Sequence, residues 1–174
     1  KTKAVLSEDG KSWIINGQKM WITNTGFGDV FTVFAKIDND RVLSAFIVER
    51  NFPGIKFNPE EKKLGIKGSS TTQIILDNCK VPVENLLGAE GDGYRIALGG
   101  LEGGRIGIAA QSIGMARSAL TCAIQYAKDR TSFGKAIIDH QAVGFKLADM
   151  ATQLEAARAL TLHAAAMRDA GLPC

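Results

Sequence analysis

The feature that most constrains the fold is a change in the spacing of apolar residues near position 90. Up to about Asn85, short runs of β-branched and aromatic residues end at turn-forming residues, which is typical of strands. From about Tyr94, apolar residues recur at helical spacing in an alanine-rich stretch. We therefore predict an α+β protein, with an antiparallel β-barrel or sandwich domain in residues 1–90 and part of an all-α helical bundle in residues 91–174.

Asn16-Gly17 is the strongest turn signal of the first half. An Asn-Gly pair suits a two-residue hairpin because both turn positions need a positive φ. The pair lies between two apolar segments, residues 12–15 and 19–22. We predict that these segments form a β-hairpin.

Three more strands are predicted after this hairpin. Residues 30–37 and 42–48 are rich in β-branched and aromatic residues, and a polar turn at residues 38–40 joins them. Residues 71–76 have the same character, and Asp77-Asn78 is expected to close that strand.

Two long helices are predicted for the second half. The first begins near residue 94, the pattern breaks at residues 130–135, and the second runs from about residue 139 to 169. Gly171 and the proline after it suit a helix C-terminus. Since two helices bury little area against each other, we expect partner helices from another segment or another subunit.

Composition argues against several functions. The net charge of +3 is mild and the basic residues are scattered, so nucleic acid is not favoured as a partner. The three cysteines are far apart and lack metal-ligand spacing, as do His140 and His163, so neither a disulfide framework nor a metal site is expected. No apolar run is long enough for a membrane span. Both ends of the chain look internal to a longer polypeptide.

Two polar and aromatic segments are candidates for binding. Trp21 ends a strand, where its face can pack on a flat heteroaromatic ring, and Thr23, two residues on, is expected on the same side of the strand. Trp21 fits a core position as well. Arg130 suits a pyrophosphate, because a guanidinium is always charged and has forked donors, but it also fits a solvated position between helices.

Together and in this order, residues 17–24 (GQKMWITN) and 129–135 (DRTSFGK) resemble the flavin-binding landmarks of the acyl-CoA dehydrogenases. The resemblance covers essentially the whole chain. It implies that Trp21 lies against the isoalloxazine of FAD and that Thr23 hydrogen-bonds near its reactive nitrogen. It further implies contacts to the FAD of a neighbouring subunit from Arg130, Ser132, Phe133 and Gln141.

The resemblance also assigns a substrate segment at residues 101–105 (LEGGR), which lies near the CoA part of the substrate in short-chain members. It implies substrate contacts from Arg105 and Glu102. Two glycines early in a helix are unfavourable, so Gly103 and Gly104 predict close packing. The basic loop at residues 63–71 lacks the spacing of a P-loop, and we interpret it as structural rather than as a phosphate cradle.

No catalytic residue is assigned within this chain. In most members of the family the glutamate base lies further along the sequence, so it is expected after Cys174. In the isovaleryl- and long-chain-type branches it lies just before the arginine, at the position of Gly104, which has no side chain. A serine-containing flavin loop is likewise expected before Lys1.

The implied function is FAD-dependent α,β-dehydrogenation of an acyl-CoA thioester, with a short acyl chain preferred and electrons passed to an electron-transfer flavoprotein. The implied assembly is a homotetramer or homodimer, cytoplasmic in a bacterium and in the mitochondrial matrix of a eukaryote. Two alternatives stay open: an acyl-CoA oxidase-like member of the superfamily, and a non-catalytic protein that binds CoA or flavin.

Overall fold

The computed structural model describes residues 1–37 and 42–173 and divides into two compact units, Lys1–Leu98 and Gly99–Cys174. Its elements are β1 (Lys3–Leu6), β2 (Ser12–Thr23), β3 (Val30–Ile37), β4 (Val42–Glu49), β5 (Ile55–Phe57), β6 (Thr71–Pro82), β7 (Leu86–Leu87), α1 (Gly93–Asp129), β8 (Thr131–Ser132), β9 (Lys135–Ala136) and α2 (Gln141–Asp169). The predicted turn at residues 38–40 lies outside the described residues.

The first unit contains a seven-stranded sheet in the order β5-β6-β2-β1-β3-β4-β7. The predicted α+β class is confirmed. The sheet, however, is not closed as a barrel, since no pairing joins its edge strands β5 and β7 within the described residues. It is also mixed rather than purely antiparallel, because β1 pairs with β3 in parallel at Lys3 and Lys36. The strand β1 enters the sheet between β2 and β3, and local patterns along one strand do not encode such an insertion.

Alternation along β3 shows how the sheet forms its core. Phe31, Val33, Ala35 and Ile37 are buried, and the residues between them are more exposed. Every second side chain of a strand lies on the same face, so this pattern directs one face of β3 into the core. Phe46 of β4 is fully buried on the same core and meets the edge of Trp13, with ring centroids 5.5 Å apart. The predicted strand at residues 30–37 is confirmed.

The predicted hairpin at Asn16-Gly17 is wrong. Both residues lie inside β2, which continues to Thr23, and the register of β2 against β6 shifts between Ile15 and Gly17. Gly17 has a φ of 144°, and a Cβ there would lie 2.6 Å from Cα of Thr2. The glycine is therefore required by the close approach of the chain's first residues, not by a turn.

Asp77-Asn78 does not close its strand either, since β6 runs on to Pro82. The side chain of Asn16 accepts a hydrogen bond from the Asn78 backbone N–H at 2.7 Å, and its amide donates to Asn78 Oδ1 at 3.1 Å. Asn78 has a left-handed φ of 48°. The two predicted turns thus face each other across β2 and β6 as one paired irregularity, in which side-chain hydrogen bonds satisfy the backbone.

Cys79 gives a test of this core. It is fully buried, and burial raises the pKa of its thiol from 9.0 to about 11, whereas Cys122 is exposed. Between these pKa values the folded chain keeps a proton that the unfolded chain loses, so stability should fall as the pH rises through this window. In a Cys174→Ser background we expect a thiol reagent to modify Cys122 quickly and Cys79 only in denaturant. Rapid modification of both thiols at neutral pH would contradict this packing.

The second unit consists of α1 from Gly99 onward, the short hairpin β8–β9 and α2. The two long helices and the break between them are confirmed, and α2 ends at Asp169, just before the predicted C-terminal glycine Gly171, which has a φ of 68°. The apolar side chains of α1 and α2 are mostly exposed, for instance 62% at Met115 and 70% at Leu160, while Leu147 is buried. Among the described residues, neither helix combines the length and apolar character that crossing a membrane requires.

Candidate functional site

Trp21 lies where β2 changes course. The register of β2 against β6 shifts between Lys19 and Ile22, and Trp21 has a left-handed φ of 55°. That conformation costs a bulky residue on the order of 1–3 kcal/mol and occurs mainly where surrounding structure enforces it. Trp21 is 69% exposed, so the core interpretation is wrong. Thr23 is also exposed. The expectation that Trp21 and Thr23 lie on the same side of the strand assumed regular alternation, and the bulge interrupts that alternation between the two residues.

Lys19 fastens β2 immediately before this bulge. Its Nζ donates a hydrogen bond to the Phe34 carbonyl of β3 at 2.6 Å. Burial lowers the pKa of the Lys19 ammonium, since the charged form loses hydration there. The contact links β2 to β3 beyond the first residue of β1, since Lys3 pairs with Asn16, and it lies two residues from Trp21.

The loop after β2 is held by hydrogen bonds to Ser70 and Thr72, at and just before the start of β6. The backbone N–H of Asn24 donates to the Ser70 carbonyl at 2.9 Å, and that of Gly26 donates to Ser70 Oγ at 2.8 Å. Thr25 is fully buried, where its hydroxyl donates to the Ile22 carbonyl at 2.8 Å and accepts from the Thr72 N–H at 3.1 Å. These bonds fix the backbone that follows Trp21.

Arg50 holds the other side of the same loop, and sequence reasoning missed it. Its guanidinium donates from Nε to the Gly28 carbonyl at 2.7 Å and from Nη2 to the Thr25 carbonyl. The guanidinium also lies over the ring of Phe57, 4.3 Å from the centroid. The available signal was a single arginine directly after an apolar strand, with aromatic residues on neighbouring strands.

In the second unit, the break between the helices forms a tight hairpin. Arg130 precedes it, and Phe133 and Gly134 form its two-residue turn with φ values of 49° and 77°. Two successive positive φ values are typical of a type I′ turn. Phe133 is 96% exposed, and the exposed Arg130 guanidinium has no hydrogen bond or ion pair with the part of the chain that the structure describes. The hairpin thus presents an aromatic ring and a free guanidinium outward.

Gln141 is the first residue of α2 and follows this hairpin. The first backbone N–H groups of a helix lack intrahelical partners and favour an anion. In α2 this applies to Gln141 and Ala142, because the N–H of Val143 donates to the His140 carbonyl at 2.9 Å. The preceding residue, His140, makes no side-chain cap to them. The structure therefore brings Arg130, Ser132, Phe133 and Gln141 together around one hairpin and one helix start.

Glu102 and Arg105 share a groove between α1 and α2. The groove has a volume of about 250 Å³, and its other lining residues are Ile106, Ala109, Leu160, Thr161 and Ala164. A Cβ at Gly103 would lie 2.8 Å from Nη1 of Arg168, so the predicted close approach is confirmed there. Gly104 has open space around it, and its predicted close packing is wrong.

This groove and the hairpin lie at different ends of the helices. Arg105 is 24 residues before the end of α1, which corresponds to roughly 36 Å of helix. Glu102 and Arg105 therefore form a candidate binding site separate from the hairpin, and only a long or extended ligand could contact both.

The basic loop at residues 63–71 is held by its own lysine. Lys63 Nζ donates to the Ile66 carbonyl at 2.9 Å, to Thr71 Oγ1 at 2.9 Å and to the Ser69 carbonyl. These contacts agree with the structural interpretation of the loop. The described residues contain no cluster of three or more His, Cys, Asp or Glu able to hold a metal ion.

Two family models match the sequence. The model for the acyl-CoA dehydrogenase middle domain matches residues 1–79, and the model for the acyl-CoA dehydrogenase C-terminal domain matches residues 91–174. The matches include the strand end with Trp21 and the hairpin with Arg130. The chain belongs to the acyl-CoA dehydrogenase family.

Individual relatives agree with this placement. A Bacillus subtilis protein named acyl-CoA dehydrogenase is 50% identical over 172 residues, covering 97% of this chain and 45% of the relative. The solved structure of butyryl-CoA dehydrogenase from Megasphaera elsdenii has a TM-score of 0.93 and 44% identity, covering 99% of this chain and 46% of that one. An acyl-CoA dehydrogenase from Bacillus anthracis, solved with FAD, has a TM-score of 0.86 and 43% identity over 92% of this chain and 28% of its own. The chain thus spans less than half the length of these relatives.

Proposed function

We propose that the protein containing this chain is an FAD-dependent acyl-CoA dehydrogenase that introduces an α,β double bond into short-chain acyl-CoA thioesters. The observation that carries the proposal is Trp21, an exposed indole held in a left-handed conformation by a fastened loop. Strain at an exposed aromatic residue has a reason if the ring must present its face to a flat ligand. Membership of the acyl-CoA dehydrogenase family supports the isoalloxazine of FAD as that ligand.

The chain contributes two sets of FAD contacts in this proposal. Trp21 packs against the flavin ring, and the exposed hydroxyl of Thr23 hydrogen-bonds its polar edge. Arg130, Ser132, Phe133 and Gln141 contact the FAD of a neighbouring subunit. The free guanidinium and the uncapped start of α2 suit its pyrophosphate, because both favour a multiply charged anion.

The substrate contacts are assigned to the groove between the helices. The Arg105 side chain contacts the adenosine part of CoA and Glu102 lies beside it, both lining the same cavity. The proposed domain division of the chain is a β domain in residues 1–90 and the first two bundle helices in residues 91–174.

The reaction removes an α-proton and a β-hydride, and FAD, when bound, supplies the hydride acceptor. An α-proton next to a thioester is weakly acidic, so the site must exclude water from the base and hydrogen-bond the thioester oxygen. Gly104 has no side chain to act as that base, and we assign the base to sequence beyond Cys174. In this proposal the residues of the chain bind and orient FAD and the substrate, and none of them transfers a proton.

The proposed partners follow from this assignment. Electrons pass to an electron-transfer flavoprotein, and the protein is a homotetramer or homodimer. The exposed Phe133 and the exposed apolar side chains of α1 and α2 support contacts with other helices or subunits. The proposed location is the cytoplasm of a bacterium or the mitochondrial matrix of a eukaryote.

An anaerobic titration of the full-length protein with butyryl-CoA tests the proposal. Bleaching of bound flavin by butyryl-CoA, and weaker bleaching by octanoyl-CoA, is the expected result. Bound flavin that neither substrate bleaches would favour a non-catalytic binding protein. Rapid reoxidation of the bleached flavin by oxygen would favour an oxidase, and failure to retain FAD would contradict the proposal as a whole.

Arg130→Gln is expected to weaken FAD binding by about 10- to 100-fold, since charge-assisted hydrogen bonds contribute roughly 1.5–3 kcal/mol. The matched control is Arg117→Gln, which removes the same charge from an exposed position of α1. FAD affinity of both variants is measured by fluorescence titration of the full-length apoprotein. Equal affinity in the two variants would remove Arg130 from the proposed site.

A further inference from the structure

His140 occupies the N-cap of α2 without capping the helix. Its backbone is extended, with φ −81° and ψ 121°, and its side chain makes no bond to the first-turn N–H groups. Ser, Thr, Asp and Asn are the residues favoured at this position, because their short side chains reach those groups. The His140 imidazole instead contacts the hairpin that precedes the helix.

The hairpin that His140 contacts is β8–β9. Nε2 of His140 lies 3.0 Å from the carbonyl oxygen of Ser132. A carbonyl oxygen only accepts hydrogen bonds, so Nε2 carries a proton and donates it. The imidazole also meets the ring of Phe133 edge-on, at 6.3 Å between centroids and 87° between planes. One side chain thus contacts two of the proposed FAD-binding residues.

Two further hydrogen bonds support the hairpin from the same turn. Lys135 Nζ donates to the Asp139 carbonyl at 2.9 Å, and the N–H of Ile137 donates to the Arg130 carbonyl at 2.8 Å. His140 adds the tie to the β8 strand, on the side of the hairpin that carries Ser132. Without that tie, Ser132 and the exposed turn would depend on the short ladder between the two strands and on these two bonds.

We propose that His140 is a positioning residue for FAD. It joins Ser132 and Phe133 to the start of α2, so that they and Gln141 meet the cofactor as one preformed surface. The inference rests on the proposed FAD binding at this hairpin. Its physical basis is that a surface ordered in advance loses less conformational entropy when it binds.

The test compares two neutral amides at this position in the full-length protein. A glutamine amide reaches to where Nε2 of histidine lies and can donate to Ser132, whereas the shorter asparagine amide matches only Nδ1. Asparagine is, however, a preferred N-cap. His140→Gln should bind FAD within about twofold of wild type, and His140→Asn about five- to tenfold more weakly, with an apoprotein melting temperature that is unchanged or raised.

Weaker FAD binding without a loss of stability in His140→Asn distinguishes positioning from general support of the fold. Equal FAD affinity in the two variants, or an Asn variant that loses stability and affinity together, would overturn the assignment. If wild-type protein itself retains no FAD, the proposed function fails. Amide exchange at Phe133–Lys135 in the two apoproteins then decides the contact alone: faster exchange only with asparagine supports the tie, and equal exchange refutes it.

Discussion

Replacing Arg50 by alanine is expected to destabilise the β unit by roughly 3 kcal/mol and to weaken FAD binding. The guanidinium donates to the carbonyls of Thr25 and Gly28 and lies over Phe57. Charge-assisted hydrogen bonds contribute about 1.5–3 kcal/mol each, and the cation–π contact of this partly exposed guanidinium about 0.5–1 kcal/mol, with incomplete additivity. Truncation leaves two carbonyls unpaired and frees the loop that follows Trp21.

Urea unfolding and FAD titration measure the two effects. Arg50→Lys is the matched control, because it keeps the charge but lacks the planar fork that serves two carbonyls at once. We expect the lysine variant to recover less than half of the lost stability. The ion pair with Asp29 is long, at 3.9 Å, and Asp29 is highly exposed, so Asp29→Asn should change little. An alanine variant as stable as wild type would contradict the role assigned to Arg50.

Replacing Gly17 by alanine is expected to cost about 2–6 kcal/mol of unfolding free energy. Its φ of 144° strains any residue with a side chain, and the added Cβ would lie 2.6 Å from Cα of Thr2. Backbone strain of this kind costs on the order of 1–3 kcal/mol, and overpacking adds a similar amount. The nearest atom is a backbone atom, which cannot avoid the added methyl group by changing rotamer. The chain around Thr2 would therefore have to move away from β2.

Gly65→Ala is the control for that substitution, because nothing lies within 4 Å of a Cβ there and its φ is not positive. A change within about 0.5 kcal/mol is expected for it. Thermal unfolding of both variants decides the matter. Similar melting temperatures for the two would mean that the chain before β1 is not packed against Gly17.

The strands and helices with strong periodicity were predictable because one face of each meets an apolar neighbour. β3 runs from Val30 to Ile37 as its alternation indicates, and α2 ends at Asp169, just before Gly171, as that glycine indicates. In the site, the exposed side chains of Trp21 and Arg130 were found from residue type and from resemblance. Arg50, which holds the loop after β2, and His140, which contacts the hairpin β8–β9, were not found, because their roles depend on contacts that apolar spacing does not encode.

What the sequence by itself determined is the class of fold, the place where strands give way to helices, and the family. Tertiary structure decided what the turn signals mean. Asn16-Gly17 and Asp77-Asn78 both predict turns locally, yet they meet across β2 and β6, where side-chain hydrogen bonds and a close approach from Thr2 use the same residues within continuous strands. Cross-strand pairs contribute roughly 0.2–1 kcal/mol each, and a long ladder of them on a buried face outweighs a single local turn signal. The conformation of Trp21 likewise depends on bonds that span the sheet, and no local pattern contains them.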